Sequence, residues 1–389
     1  MNILFVTSHE PSLINGGVEH VTIQVAQCLA QNYGHHCFSL YNHCVDTITN
    51  DIFEDFQLLP TNNQQLFFEK YLEQHAIDVV VAQNLPGILP VIRNVARPVK
   101  LIYAHHSDPF YNIKTFNLDF LLFKSKYGSW SQKCSIAKIF LLFPFYKAYI
   151  RYSLKKVLRS CVENADKVVV LSENAIKPFS RLAQWDNTSK ITFINNPLSF
   201  EKSITWQELA NKQKKIIMVC RMEEMSKKVS LALKIWKKIS QVPQVSEWTL
   251  QIIGDGPDLE TYRKIVSREG LKNVCFSGKK DPYDDFRQAS VFFMTSISEG
   301  WGIVTTEAMQ MGCVPIAFDG YPAIYDIIEN GENGFLVEYR DIDGFSEMAL
   351  KVMLDDHLRN EMARKAVVAS QRFDMKTVGQ KWESLITSL

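Results

Sequence analysis

The 389-residue sequence predicts an α/β protein built from two doubly wound parallel sheets. Short apolar runs alternate with helical patterns almost from end to end, and they form two series of similar size on either side of about residue 200. The length also exceeds the size at which one hydrophobic core keeps growing. We therefore predict two domains, with a ligand cleft at the carboxyl ends of the strands.

The first series begins at the amino terminus, where Ile-Leu-Phe-Val follows Met-Asn without the basic start and cleavage site of a signal peptide. A helix is predicted at 18–32, after a loop at 8–17. Buried strands are predicted at 2–7, 37–41, 79–82, 100–104, 167–171 and 191–194.

The second series follows a polar segment at 199–214, which we interpret as a linker. Strands are predicted at 215–219, 248–253, 274–277, 291–295, 314–317 and 334–337. Each is followed by a turn or a helical pattern, as in the first half.

Composition excludes several classes of protein. A net charge of +1 gives no sign of the strongly basic domain typical of nucleic-acid binding. Eight cysteines are scattered singly, so we expect reduced core thiols in a cytosolic protein and neither a zinc site nor a disulfide scaffold. The sequence lacks an apolar run of about 18 residues, which predicts no membrane span.

The segment 296–311 carries two glutamates seven residues apart, Glu299 in a predicted loop and Glu307 in a predicted helix at 304–311. Gly300 and Gly302 allow close approach to the backbone, and the helix start offers free N–H groups to an anion. This arrangement suits a phosphate flanked by hydroxyl groups. The alternative is an exposed loop glutamate plus a glutamate favoured by the helix dipole.

Two cations, Arg221 and Lys227, follow the strand at 215–219 and suit a pyrophosphate, although each could simply be a solvated surface charge. Gly16 and Gly17 precede the first helix, where a plain turn is the alternative to a binding loop. The turn at 254–257 has the same two interpretations.

Taken in order, these motifs resemble the retaining glycosyltransferases of family 4, or glycosyl transferases group 1, whose fold is two facing Rossmann-like domains (GT-B) with an interdomain cleft. The resemblance extends over nearly the whole chain. It rests on Gly16-Gly17, His105, Arg221 with Lys227, the Gly-Asp-Gly-Pro turn at 254–257, the glutamates around Gly300-Trp301-Gly302, and Gly-Glu-Asn-Gly at 331–334.

The resemblance implies an acceptor-binding domain at 1–200, a nucleotide-sugar-binding domain at 201–370, and a helix at 371–389 that packs back towards the first domain. It implies that Glu307 holds the ribose and that Arg221 and Lys227 neutralise the diphosphate. Glu299 would contact the donor sugar, and His105 would lie beside it. The remaining donor-binding positions implied are Gly16, Gly17, Gly300, Trp301, Gly302 and Ile303.

Three departures from the family pattern matter. The spacing from Arg221 to Lys227 is one residue longer than in many members, so Lys228 is an alternative second cation. The segment after Gly320 lacks the common Gly-Gly-x-Pro-Glu pattern and resembles a subgroup that often uses UDP-hexoses or their N-acetyl forms. Asp326 stands where a glutamate is usual.

We predict neither a metal nor another cofactor, because Arg221 and Lys227 supply the positive charge that a leaving diphosphate requires. Asp341 and Asp343 match an Asp-x-Asp metal motif, but they follow a strand in a polar turn. The sequence leaves open whether retention uses a covalent intermediate or front-face departure, and the resemblance favours the second with Glu299 as a hydroxyl ligand.

The segment 114–159 contains ten cations and one acid, Asp119, interleaved with aromatic and leucine residues. Such a segment is typical of a peripheral membrane surface, and the alternative is a set of core helices with basic solvated faces. Its cations are Lys114, Lys124, Lys126, Lys133, Lys138, Lys147, Arg151, Lys155, Lys156 and Arg159.

The expectation is a retaining hexosyltransferase (EC 2.4.1.-) that moves a hexose or N-acetylhexosamine, favourably from a UDP-sugar, to a glycan or lipid-linked acceptor. Its setting would be polysaccharide, lipopolysaccharide or capsule synthesis in the cytoplasm, peripherally on the cytoplasmic face of the membrane, without nucleic acid. Two alternatives remain: a nucleotide-sugar epimerase of the same architecture and a non-catalytic scaffold of a polysaccharide assembly complex.

Overall fold

The computed structural model describes residues 1–12, 16–44, 51–127 and 130–389, and the side chains of 130–141 lie outside this description. The chain forms two compact units. Unit 1 comprises Met1–Pro109, Arg151–Pro197 and Phe373–Leu389, and unit 2 comprises Phe110–Ile150 and Leu198–Arg372. Each unit holds one parallel sheet, which confirms the predicted fold class.

In the described part of the chain, unit 1 has a seven-stranded sheet with the order β3-β2-β1-β4-β5-β6-β7. Its strands are β1 (Asn2–His9), β2 (His36–His43), β3 (Asp55–Leu58), β4 (Val79–Gln83), β5 (Lys100–His105), β6 (Lys167–Val170) and β7 (Ile191–Phe193). β3 was missed from the sequence because this edge strand is largely half-exposed and lacks an apolar run.

The sheet of unit 2 has six described strands in the order β10-β9-β8-β11-β12-β13. They are β8 (Gln213–Val219), β9 (Thr249–Ile253), β10 (Val274–Phe276), β11 (Ala289–Met294), β12 (Val314–Phe318) and β13 (Phe335–Val337). The register of β11 against β12 pairs Val291 with Val314, and β11 also pairs with β8.

Helices connect the strands of both units. They are α1 (Gly17–Tyr33), α2 (Gln64–Gln74), α3 (Leu89–Arg93), α4 (Tyr111–Thr115), α5 (Leu118–Tyr127), α6 (Trp130–Asn164), α7 (Glu173–Ala183), α8 (Trp206–Leu209), α9 (Val229–Ile239), α10 (Leu259–Arg268), α11 (Tyr283–Gln288), α12 (Ile303–Gln310), α13 (Ile324–Ile327), α14 (Ile342–Leu354), α15 (Asp356–Ser370) and α16 (Met375–Thr387).

The strand order reverses between β1 and β4 in unit 1 and between β8 and β11 in unit 2. Ligands of open parallel sheets bind outside the carboxyl ends of strands at such reversals. In unit 2 this point is the loop after β8 together with the loop after β11, where the sequence motifs are concentrated.

The observed division differs from the predicted boundaries. Residues 110–150 were assigned to the first domain, but they pack with unit 2. The segment 373–389 packs with unit 1, where the His35 ring contacts Glu383 at 2.6 Å and Gly379 lies against the Cys28 sulfur. The predicted linker is part of unit 2 and contains α8, whose start has a capping box between Thr205 and Glu208.

Four cysteines, Cys28, Cys37, Cys161 and Cys313, are buried free thiols, whereas Cys44 and Cys275 are exposed. The side chain of Cys134 lies outside the described residues. Within the part of the chain that the structure covers, no helix is both long enough and apolar enough to cross a membrane.

Candidate functional site

The carboxyl end of β8 is fixed by the glycine turn that follows β9. Cys220 N donates to Ile253 O at 3.0 Å and Met222 N donates to Asp255 O at 2.8 Å. A Cβ on Gly254 would lie 1.9 Å from the Cys220 carbonyl oxygen, so only glycine permits this approach. The turn at 254–257 therefore positions Arg221, whose side chain is 70% exposed and 3.6 Å from Glu223.

Lys227 and Glu299 meet at the reversal point of this sheet. Lys227 Nζ lies 2.5 Å from Glu299 Oε1, and both side chains are mostly buried. Burial would lower the pKa of Lys227, but the charge and hydrogen bond of Glu299 outweigh it and raise the pKa. The structure thus joins two predicted site residues that are 72 positions apart in sequence.

The backbone of Lys227 and Lys228 is held by the hydroxyl of Thr295 at the end of β11. Thr295 Oγ1 lies 2.9 Å from Lys227 O and 3.2 Å from Lys228 O. Lys228 is buried and forms no described bond to Glu299. Lys227, and not its neighbour Lys228, is therefore the lysine that pairs with Glu299.

The loop after β11 turns into α12 at Gly302, which has φ 87°. A Cβ there would lie 2.6 Å from the Tyr321 hydroxyl, so both conformation and space require glycine. Gly300 and Trp301 precede this turn, Trp301 being only 2% exposed, and Ile303 is the first residue of α12. The predicted donor-binding loop is thus compact and fixed from within.

Glu307 lies on α12, half-buried, with its carboxylate hydrogen-bonded by Ser199. Burial raises its pKa to about 7, the Ser199 hydrogen bond opposes the shift, and the charge of Asp281 adds to it. This carboxyl group therefore changes protonation near neutral pH, far above an ordinary glutamate.

Two residues that the sequence did not assign to this site are Tyr111 and Lys114 on α4. Burial and the charge of Glu223 raise the pKa of Tyr111. A hydrogen bond with Ser226 and the charge of Lys227 lower this pKa, whereas the charge of Glu299 raises it. Lys114 Nζ donates to Gly320 O at 2.7 Å. No sequence signal links α4 to unit 2, because the contact depends on where residues 110–150 pack.

In unit 1, His105 ends β5 and is 7% exposed. Its Nδ1 lies 3.1 Å from the Tyr103 hydroxyl and its ring packs edge-on against Phe179. Burial, then the charge of His106, lowers the His105 pKa to about 3. Its Nε2 is buried without a hydrogen-bond partner among the described residues, so the neutral ring has one unsatisfied polar atom.

Gly16 and Gly17 lie at the start of α1, with residues 13–15 of the preceding loop outside the described part. Gly16 has φ 69°, and a Cβ there would lie 2.0 Å from the Glu19 carboxylate. Glu19 Oε1 is in turn 3.5 Å from His9 Nδ1. The helix start is therefore occupied by the chain's own carboxylate, which a bound phosphate would have to displace.

Asp341 and Asp343 have structural contacts. Asp341 caps α14 by accepting from Gly344 N at 2.8 Å, and Asp343 pairs with Lys238 on α9. The Asp-x-Asp pattern therefore coincides with a helix start.

The basic segment 114–159 does not present all its cations outward. Lys114 binds Gly320, and Lys124 Nζ lies 2.5 Å from Asp258 Oδ1, so these two belong to contacts within unit 2. Lys133 and Lys138 have side chains outside the described residues. An exposed apolar stripe nevertheless runs along the later part of α6, formed by Leu142, Phe145, Tyr146, Tyr149 and Tyr152.

Residues 200–367 match the family model described as glycosyl transferases group 1. The second half of the chain is thus similar to this family. The matched region contains Arg221, Lys227, Glu299 and Glu307, so the group 1 domain is the one whose site has just been described.

Relatives and solved structures resemble larger parts of the chain. A poly(glycerol-phosphate) alpha-glucosyltransferase of Bacillus subtilis is 23% identical over 60% of this chain and 34% of its own length. The amylovoran biosynthesis glycosyltransferase AmsD of Erwinia amylovora is 27% identical over 60% of this chain and 66% of its own. The chain thus spans about a third and about two thirds of these two relatives.

The fold of the whole chain matches a crystal structure of HepE from Anabaena in complex with UDP and glucose. The TM-score is 0.71 with 19% identity, over 100% of this chain and 99% of HepE. This likeness confirms the two-domain GT-B fold that the resemblance implied.

Proposed function

We propose that this protein is a retaining glycosyltransferase of family 4 that transfers a hexose or N-acetylhexosamine from a UDP-sugar to a hydroxyl of a glycan or lipid-linked acceptor. The observation that carries the proposal is the pair of Lys227 and Glu299, 2.5 Å apart at the strand reversal of the group 1 domain. Relatives named for glucosyl transfer and polysaccharide synthesis, and the UDP and glucose bound to HepE, support the donor class.

Lys227, Arg221 and Glu299 each have a role in the proposed transfer. Departure of a nucleoside diphosphate concentrates negative charge on the phosphate oxygens, and fixed cations stabilise that charge without reorganisation. Lys227 and the exposed Arg221 supply the cations. When the diphosphate attracts Lys227, Glu299 loses its partner and becomes available to the hydroxyls of the donor sugar.

Glu307 accepts the ribose hydroxyls in this proposal, with the carboxylate as the binding form. His105 in unit 1 offers a neutral ring nitrogen suited to a sugar hydroxyl. The bond from the anomeric carbon to the diphosphate breaks and leaves an oxocarbenium-like sugar. The acceptor hydroxyl then bonds the anomeric carbon from the same face and gives its proton to the departing diphosphate, which accounts for retention with Glu299 as ligand and not nucleophile.

The decisive experiment incubates the protein with radiolabelled UDP-glucose, UDP-galactose and UDP-N-acetylglucosamine plus candidate acceptors. Thermal shift across the nucleotide sugars selects the donor first, because a ligand of the native state raises the apparent stability. Labelled glycan product supports the proposal. Epimerised nucleotide sugar would favour the epimerase, and neither product with a binding donor would favour the scaffold.

The proposal includes catalysis without a divalent metal, because Lys227 and Arg221 provide the positive charge at the leaving group. Transfer should be unchanged after treatment with EDTA and gel filtration. Loss of transfer that Mn²⁺ restores would contradict this part.

We also propose that the protein acts peripherally at the cytoplasmic face of an anionic membrane through α6. The exposed stripe carries Phe145 at 76% and Tyr149 at 66% exposure, at helical spacing, with the exposed cations Arg151 and Lys156 nearby. Each cation near an anionic surface contributes about 1 kcal/mol, and aromatic side chains insert at the interface.

Co-sedimentation with liposomes of varied anionic lipid content tests this surface. Binding should weaken with salt as the Debye length falls from ~10 Å at 0.1 M to ~3 Å at 1 M, and the apolar part should persist. Binding should be lost when Lys147, Arg151, Lys155 and Lys156 are changed to Glu. The charge-matched control changes exposed lysines elsewhere to Glu, at Lys70, Lys100, Lys264 and Lys376. Equal sedimentation of both variants would contradict the proposal.

A further inference from the structure

A cavity of unit 2 lies under α5, and neither Lys227 nor Glu299 lines it. Its volume is about 460 Å³, and it is walled by α5, α9, α10 and the residues that follow β13. None of the donor-binding residues described above lines it. We call it the α5 cavity.

Lys228 lines this cavity and is only 2% exposed. Its Nζ is buried and has no hydrogen-bond partner among the described residues. Burying an ammonium without a partner is unfavourable, so a ligand that accepts its hydrogen bonds would stabilise this residue. Burial lowers the pKa of Lys228, and the nearby charges of Glu224 and Asp119 partly oppose this.

The backbone adds a second anomaly at the same position. Lys228 has φ 52°, the left-handed region in which glycine is favoured. A non-glycine residue kept in that conformation stores strain, which concentrates at functional sites. The side chains of the neighbouring Lys227 and Lys228 thus lie in different places. Lys227 contacts Glu299, whereas Lys228 lines the α5 cavity.

Tyr339 supplies a second polar atom without a partner. Its hydroxyl is buried, lines the same cavity and has no hydrogen-bond partner among the described residues. Glu224, by contrast, is saturated: it accepts from Ser230 Oγ at 2.6 Å and from the Tyr262 hydroxyl at 3.0 Å. Two unpartnered donors therefore face the cavity beside a carboxylate that is already satisfied.

The charges around the cavity favour an anion. Its lining contains more cations than acids, and the acids are engaged: Glu269 pairs with Lys237 and Arg268, and Asp119 with Arg340. Among the described residues no carboxylate pairs with the remaining cations. These are Lys126, Lys228 and Lys234.

Apolar side chains complete the lining, and they come from both the α5 wall and the opposite helices. They are Leu122, Phe123, Leu231, Leu233, Ile265 and Leu271. The site therefore combines two buried donors, cations that no described carboxylate pairs with, and an apolar wall, an arrangement suited to an anionic head on an organic body.

We propose that the α5 cavity binds a phosphate-bearing ligand, with Lys228 Nζ and the Tyr339 hydroxyl donating to the phosphate oxygens and Lys126 and Lys234 adding positive charge. A phosphate presents several strong acceptor oxygens and up to two negative charges, which matches more than one unpartnered donor. The site is separate from the donor diphosphate site, whose cations are Arg221 and Lys227.

Calorimetric titration with inorganic phosphate and with hexyl phosphate tests the proposal. Phosphate affinity should fall about tenfold or more in Lys228→Met, which keeps the length of the side chain, and about threefold or more in Tyr339→Phe. Affinity should be unchanged in Lys264→Met, an exposed lysine of α10. Equal affinity in Lys228→Met and wild type, or no binding to wild type, would overturn the proposal.

The two probes separate the sources of the phosphate. Hexyl phosphate binding at least tenfold more tightly than inorganic phosphate would assign the site to a phosphate on an apolar body, because each buried methylene adds a transfer gain. Equal affinities would assign it to a free phosphate.

Lys228→Gly guards against a variant that merely misfolds. Glycine relieves the left-handed strain, so the melting temperature should rise or stay equal while phosphate affinity is lost. Phosphate affinity retained in this stable variant would show that Lys228 is a strained structural residue and would overturn the proposal.

Discussion

The carboxyl ends of the two sheets present opposite chemistry on similar frameworks. In unit 1, β5 ends in His105, which burial keeps neutral with a pKa of about 3. In unit 2, burial also disfavours charge at Lys227, but Glu299 keeps the ammonium charged. A parallel sheet thus does not dictate the charge of its site; the presence of a partner for the buried group does.

Removing the charge of unit 2 should give the largest effect on turnover. Lys227→Met should lower kcat about 10²- to 10³-fold, because the leaving diphosphate loses a fixed cation and Glu299 is left buried without its partner. KM for the donor should change much less. Steady-state kinetics with the selected UDP-sugar measure both constants, and Lys264→Met is the matched control. An unchanged kcat would contradict the role of Lys227.

Added side-chain volume at Gly302, in the loop after β11, should lower the stability of the protein. Gly302→Ala should lower the free energy of unfolding by about 2–3 kcal/mol, through the left-handed backbone and the Tyr321 hydroxyl. Tyr321→Phe in the same chain should recover part of the loss. Gly331→Ala, also left-handed but with open space around it, isolates the backbone cost in denaturant unfolding. Equal losses of unfolding free energy in Gly302→Ala and Gly331→Ala would show that the contact with the Tyr321 hydroxyl is relieved by a local shift.

Glu307 sharpens the comparison because none of the described cations forms an ion pair with its carboxylate. Its folded-state pKa of about 7 exceeds the unfolded value, so the folded state holds an extra proton and stability falls as pH rises from about 4.5 to about 7. Glu307→Gln should lack this dependence, and UDP should bind it about tenfold or more weakly.

Ribose hydroxyls favour the carboxylate, so UDP binding near pH 6.5 should release a fraction of a proton in the wild type. Calorimetry in two buffers of different ionisation enthalpy measures that release. Equal proton release in Glu307→Gln would place the titrating group elsewhere.

Substitution of the neutral His105 in unit 1 should have the smallest effect on activity. His105→Ala should lower kcat about tenfold with UDP affinity unchanged, because the ring contributes an uncharged hydrogen bond. With a pKa of about 3, His105 should not change protonation between pH 5 and 8. The wild-type activity should therefore show no pH dependence due to His105 in this range. The pH profiles of both proteins test this, and a limb near pH 6.5 that vanishes in the variant would contradict it.

Periodicity predicted the sheets because buried parallel strands are continuous apolar runs, as at 79–82 and 291–295. The half-exposed β3 has no such run and was missed. The place of residues 110–150 was also missed, since the preference of α4 and α5 for unit 2 depends on single contacts such as Lys124 with Asp258.

The donor loop was predictable because its glycines and charges lie close together in sequence. The pairing of Lys227 with Glu299 could be expected only from the carboxyl ends of adjacent strands. The position of Tyr111 and the α5 cavity could not be predicted, because both depend on three-dimensional packing, which leaves no local pattern in the sequence.

The return of α16 to unit 1 has a consequence for biosynthesis. His35, just before β2, can contact Glu383 only after residues 198–372 have been synthesised. The same holds for the contact of Asn195 with Lys381. Domains generally fold as units when their sequence has emerged. Unit 2 can therefore close during translation before unit 1 has its last helix, so in a nascent chain the amino-terminal unit is the later of the two to become complete.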